Sequence, residues 1–285
     1  IPSIYLKLNK ENIQKNIPKE FLNYSRKIYN INKERNKNLI SEISEISEIL
    51  KKNKINHVFV KGSANLISGI YQGIGERMIG DIDILIQKNQ IDNANQLLKK
   101  VGYFEYKVNS FIIDSKRHLP RLIKKGKIFA VELHKEIFEI KNLTMISPTD
   151  LLKKKCQFNG VWVPNATNQY LHNIYNFQIN DRAHYKLLYS YRTIYDSFLI
   201  QKKHKLKNKV LEYDKFITTF LMVCNELKIL NDINYNVNKI DIIRFRLKYR
   251  YRLYSRVDYF LVNEFFKLKF KFQQINKLIF SSEYR

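Results

Sequence analysis

Gly80-Asp81-Ile82-Asp83-Ile84-Leu85-Ile86 places two carboxylates at i and i+2 within a run of aliphatic, mostly β-branched residues. Such a run reads as a strand. The two-residue side-chain period of a strand puts Asp81 and Asp83 on one face and Ile82 and Ile84 on the other. Two carboxylates on one face repel each other unless a cation lies between them. Hard oxygen ligands in that pattern suit Mg²⁺, which takes one or two carboxylates and completes its shell with water and substrate phosphates. Taken alone, the pair has a second reading, an edge strand with both acids in water.

Two further pieces favour the metal reading. Upstream, Val60-Lys61-Gly62-Ser63 reads as a strand-to-helix turn, where backbone N–H groups, the Ser63 hydroxyl and the helix N-terminus suit a phosphate. Downstream, Glu132 lies in the apolar run Ile128-Phe129-Ala130-Val131-Glu132-Leu133. A carboxylate there is costly to bury without a partner, and a metal shared with Asp81 and Asp83 supplies one. Three carboxylates beside a phosphate-binding turn meet the needs of metal-assisted phosphoryl or nucleotidyl transfer. His134 follows Glu132 by two residues and shares its face on a regular strand, where it is placed to orient a ligand or donate to phosphate. Arg77 precedes Gly80 by three residues, placed either to touch phosphate or to pair with an acid and fix the loop. Lys61 reads as a phosphate contact or as plain surface.

The ordered set Lys61-Gly62-Ser63, Tyr71, Arg77, Gly80-Asp81-Ile82-Asp83, Gly102-Tyr103 and Glu132-Leu133-His134 resembles the nucleotidyltransferase superfamily with the DNA polymerase β-like core. Within it, the set is most similar to a bacterial branch labelled uncharacterised nucleotidyltransferase. The likeness spans roughly residues 35–200 and extends to His118, His172, Arg192 and Asp196, whose individual roles it leaves open. It implies an α+β fold, a mixed sheet with helices, together with Mg²⁺ and an NTP donor such as ATP. It also implies that Asp81, Asp83 and Glu132 are the metal-binding and catalytic acids, with Glu132 assisting the attacking hydroxyl. Lys61, Gly62, Ser63, Arg77 and His134 would then contact the donor.

These residues need elements to position them. Residues 1–56 read as helix, with Ile43, Ile46, Ile49 and Leu50 on one stripe and Asn53 and Asn56 marking the end. A strand is expected over 57–60, a helix from near Ala64, and a glycine-punctuated loop from Gly69 to Gly80. An amphipathic helix over 91–100 closes at Gly102. Further strands are expected over 103–114 and 127–134, with Lys125-Gly126 as a turn. At Ser147-Pro148 an N-cap followed by proline opens a helix, and the remainder reads as mainly helical. The expected division is an N-terminal catalytic domain, 1–146, and a helical, basic acceptor-binding domain, 147–285.

The chain carries 51 Lys+Arg against 26 Asp+Glu, a net charge of +25 that concentrates polyanions around it. Its Lys, Asn and Ile richness gives a second source for the excess, AT-rich coding. Residues 201–285 alone hold 19 basic and 8 acidic side chains. There the run Arg244-Phe245-Arg246-Leu247-Lys248-Tyr249-Arg250-Tyr251-Arg252 interleaves charge with aromatic rings, a composition suited to bases and phosphates of RNA or to a solvated helix with an aromatic core stripe. Two cysteines fit no metal spacing and suggest free thiols in a cytoplasmic protein. No membrane-spanning run and no signal-peptide pattern is visible, and the absence of an initial Met leaves room for preceding sequence. The expected activity is Mg²⁺-dependent transfer of NMP to an acceptor, with RNA or tRNA in a toxin or defence role foremost. A peptide, sugar or antibiotic acceptor, a nucleotide-sugar donor, and a non-catalytic nucleic-acid-binding module are the alternatives.

Overall fold

The computed structural model describes residues 2–10, 16–106, 117–139, 146–206, 214–229 and 238–280. The chain forms two compact units, residues 1–176 with 195–210, and residues 177–194 with 211–285.

The first unit opens with α1 (Pro2–Lys10) and the long α2 (Lys19–Lys52), capped by Asn53, the first of the two asparagines expected to mark its end. One stripe of α2 is buried along most of its length, and its chemistry changes on the way. Ser25, Asn32 and Asn36 give way to Leu39, Ile43, Ile46 and Leu50. The polar half faces a loop whose carbonyls need donors. The apolar half belongs to the core, where burial contributes roughly 1.5–3 kcal/mol per large aliphatic side chain.

After α2 come β1 (His57–Phe59), α3 (Lys61–Ile67), β2 (Asp81–Ile86), α4 (Ile91–Lys100), β3 (Tyr103–Glu105), β4 (Leu122–Lys124) and β5 (Ala130–His134). The five strands form one mixed sheet in the order β1-β2-β5-β4-β3. β2 runs parallel to β5, and the other pairings are antiparallel. Ile82, Ile84, Val131 and Leu133 are completely buried. The α+β fold class with a mixed sheet is therefore as expected, and α4 spans 91–100 as expected.

Several boundaries differ. The helix after β1 begins at Lys61, because Lys61 itself takes a left-handed backbone (φ 54) that turns the chain at once. The strand expected over 103–114 is Tyr103–Glu105 in its described part, and 107–116 lies outside the described residues. The strand expected from 127 starts at Ala130, after the turn at Lys125-Gly126.

Ser147 caps α5 (Pro148–Lys153) in a reciprocal box with Asp150. A hairpin of β6 (Lys155–Phe158) and β7 (Val161–Pro164) follows and was not anticipated. Lys155 Nζ ties it to Asn56 Oδ1 at 2.6 Å and to the His57 carbonyl at 3.1 Å. The remainder is helical: α6 (Ala166–Tyr175), a single π-turn, α7 (Ala183–Lys186), α8 (Tyr191–His204), α9 (Lys215–Glu226), α10 (Lys239–Arg250) and α11 (Arg252–Phe280). Among the described residues no helix is long and apolar enough to cross a membrane. Cys156 and Cys224 are free thiols, and burial pushes that of Cys224 up to about 12.

Candidate active site

The parallel register of β2 and β5 sets Asp83 opposite Glu132 and Asp81 opposite Ala130. Asp83 and Glu132 are buried, while Asp81, at the start of its strand, is only partly so. His134, two residues beyond Glu132, brings Nε2 to 2.8 Å from Asp83 Oδ1 and 3.4 Å from Glu132 Oε2. An N–H at Nε2 thus donates to both acids and fixes them relative to one another.

Two more cations meet the acids. Lys61 Nζ lies 2.5 Å from Asp83 Oδ1. Arg121 donates through Nε to Glu132 and holds Nη2 at 4.0 Å from Asp81 Oδ2. The electrostatics follow from these partners. Burial alone would raise the Asp83 carboxyl, but Lys61 and the His134 hydrogen bond outweigh it and hold the group well below its usual range. Burial likewise opposes ionisation of Glu132, and the His134 hydrogen bond and Lys61 reverse this to a lowered value. Asp81 goes the other way, raised by burial and by the neighbouring charges of Asp83 and Glu132. Burial disfavours a charged His134, yet its bonds to Asp83 and Glu132 raise it overall.

Among the described residues, Asp83, Glu132 and His134 bring ligand atoms within 4.8 Å of one another, a group able to hold a metal ion. Asp81 shares their strand face and stands at the rim. The two carboxylates offer the hard oxygens that Mg²⁺ prefers. In this arrangement His134 serves as the hydrogen-bonding partner that orients ligating carboxylates.

The remaining expected residues are placed as follows. Val60 N donates to the Asp83 carbonyl at 3.0 Å, which locks the turn at Lys61-Gly62-Ser63 beside the acids. Ser63 is fully buried and its hydroxyl donates to the Asp81 carbonyl at 3.3 Å, so in this structure it braces β2. Gly62 lies against Ile79, whose side chain would stand 3.1 Å from an added Cβ. Arg77 lies against Asp196, Nε to Oδ2 at 3.4 Å, and Tyr71 donates to Asp196 Oδ1 at 3.0 Å. His118 forms an isolated antiparallel bridge with His134 of β5, their rings 5.2 Å apart. His172 is buried, its ring 5.7 Å from that of Phe138, and burial lowers it to about 3.

Residues 68–80 connect α3 to the acids, and side chains distant in sequence hold them. Asn32 Nδ2 donates to the Gly75 carbonyl, and Asn36 Nδ2 to those of Ile74 and Arg77, each at 2.7 Å. Arg35 donates to the Ile79 carbonyl while its guanidinium lies 4.5 Å from the centre of the Phe129 ring. Buried Glu76 accepts from Gln72 N at 2.8 Å and from the Tyr195 hydroxyl. None of these anchors was anticipated, and neither was Arg121. The sequence signal for the asparagines was their spacing on the Ile43–Leu50 stripe of a helix, where an amide is out of place.

A family model described as an uncharacterised nucleotidyltransferase matches residues 1–196. The chain belongs to that family. A search of curated proteins returned no match. The nucleotidyltransferase match covers the whole acid cluster, the loop that carries Arg77, and its anchors as far as Asp196. Membership makes the chain a transferase whose substrate is a nucleotide.

Proposed function

We propose that the chain is a Mg²⁺-dependent nucleotidyltransferase that moves NMP from an NTP, ATP among them, to a hydroxyl of an RNA acceptor such as tRNA, as a toxin or defence enzyme would. The observation that carries the transfer reading is the side-by-side placement of Asp83 and Glu132 on β2 and β5, with Asp81 at the rim and family membership to match. The RNA acceptor rests on the excess charge of residues 201–285. In this reading residues 1–146 are catalytic and 147–285 hold the acceptor.

Asp83 and Glu132 would hold the ion, with Asp81 beside them. Bound there, Mg²⁺ offsets triphosphate charge and eases deprotonation of the attacking hydroxyl. The protein supplies the rest. His134 keeps both carboxylates oriented, and its bonds to them favour their ionised forms. Lys61 and Arg121 are cations already at the rim, suited to a polyphosphate. Glu132 serves as the third carboxylate and would assist the attacking hydroxyl, with Asp81 at the rim of the same strand face.

The test incubates the full chain with labelled NTPs, Mg²⁺ and total cellular RNA and protein. Label should enter RNA, and Asp81→Ala and Asp83→Ala should abolish it. Full transfer by both variants would show that the site is misassigned.

A further inference from the structure

The basic and aromatic run of residues 244–252 divides by role in the second unit. Arg244 grips Asp258 through Nε and through Nη2, the latter at 3.0 Å from Oδ2. Arg246 takes Glu226 at 2.7 and 3.0 Å. Lys248 Nζ sits 2.5 Å from Asp258 Oδ2, its side chain only 7% exposed. These three cations hold α10 to its neighbours. Arg250 and Arg252 are exposed.

The rings of the run do something different. Lys248, Phe245 and Tyr249 line a cavity of about 480 Å³ together with Leu187 and Tyr189. Phe245 and Tyr249 are stacked, 6.2 Å apart with 21° between planes. Tyr189 meets Tyr249 edge-on at 6.5 Å and Tyr191 at 5.3 Å. Yet Tyr249 is 65% and Tyr189 41% exposed, so much of each ring is open to water. Leu187 has a left-handed backbone (φ 44), a conformation that costs a leucine and that separates α7 from the segment bearing Tyr189. A cavity of this size accommodates a ligand of nucleotide dimensions. Lys248 in the wall is neutralised by Asp258, so the cavity offers tyrosine faces open to water, with the exposed cations Arg250 and Arg252 next along the chain. That pairing suits a planar base attached to an anionic backbone, which a protein core does not require.

We propose that this cavity takes an unstacked base of single-stranded RNA. Tyr189 and Tyr249 supply the ring faces, and Arg250 and Arg252 meet the flanking phosphates. The inference rests on the RNA-acceptor reading and assigns where the acceptor is gripped. A duplex keeps its bases stacked and would not enter.

The test measures fluorescence anisotropy of a short labelled single-stranded RNA with the full chain across a KCl series. Tyr189→Ala and Tyr249→Ala should each weaken binding by about tenfold while leaving the salt slope unchanged, because stacking releases no counterions. Tyr249→Phe keeps the ring and should bind like the parent chain. Arg250→Ala should instead lower the slope by about 1. Binding indifferent to both tyrosines overturns the proposal. So does equal competition by duplex RNA or by a polyglutamate peptide, and so does no binding of single-stranded RNA at all. Transfer measured in parallel separates the two failures. Label transfer to RNA without any role for the tyrosines overturns the pocket alone. RNA binding through the tyrosines with no transfer overturns the nucleotidyl-transfer reading alone.

Discussion

Asp83 and Glu132 are direct partners in the parallel pairing of β2 with β5, so two buried carboxylates lie side by side in the sheet. Burying like charges is expensive, and removing one partner from such a cluster leaves an uncompensated charge. The chain offsets the cost with Lys61 on one acid, Arg121 on the other and His134 between them. A strand pair built for stability alone would carry apolar residues here, which is the physical reason to treat the cluster as a site.

Arg121 is the most exposed of these cations, while its partner Glu132 is buried and also holds a contact to His134. Arg121→Ala should therefore lower the urea midpoint only modestly, because His134 still partners the buried carboxylate. It should raise the apparent KM for NTP several-fold, since it removes a cation placed at the acids. A large loss of stability with unaltered KM would assign Arg121 to the scaffold.

The glycines of the loop before β2 make contrasting predictions. A Cβ at Gly75 would stand 2.6 Å from the Tyr29 carbonyl, which belongs to helix backbone and has little room to yield. At Gly80, next to the aspartates, an added Cβ meets nothing within 4 Å. Gly75→Ala should destabilise by about 1–3 kcal/mol, as overpacking does, while Gly80→Ala should cost less than about 1 kcal/mol. Thermal melts of the two variants check this, and equal losses would contradict it.

What was legible in the sequence was whatever depends on short periods. The i, i+2 spacing of Asp81 and Asp83 and the apolar frame of Glu132 identified two strands, and Ser147-Pro148 identified a helix start. What was hidden depends on long range. Asn32, Arg35 and Asn36 serve carbonyls about forty positions away, beyond the reach of any local pattern. The hairpin Lys155–Pro164 escaped because Cys156 and Gln157 are exposed and its strands are short. The basic run of residues 244–252 looked uniform, yet Arg244, Arg246 and Lys248 are engaged in ion pairs.

His57 links stability to pH. Its Nδ1 donates to the Ile55 carbonyl at 2.8 Å, Nε2 is buried with no partner, and burial lowers the ring to about 4. The unfolded chain, with an ordinary histidine near 6.5, binds the proton more readily. The contribution is therefore fully present above pH 6.5 and is lost as pH falls towards 4, by up to about 3 kcal/mol. Urea melts between pH 7 and 4 (roughly the span over which the ring titrates) should show a shallower decline for His57→Phe than for the parent chain. Parallel curves would exclude His57 as the cause.

The most direct test of nucleotidyl transfer at Asp83 and Glu132 compares α-labelled with γ-labelled NTP under Mg²⁺. The account predicts that label reaches the acceptor from the α position only, with pyrophosphate released, and that Asp83→Asn lowers the rate by at least about 10²-fold. Transfer of the γ-label, or unchanged α-transfer by Asp83→Asn, would contradict it.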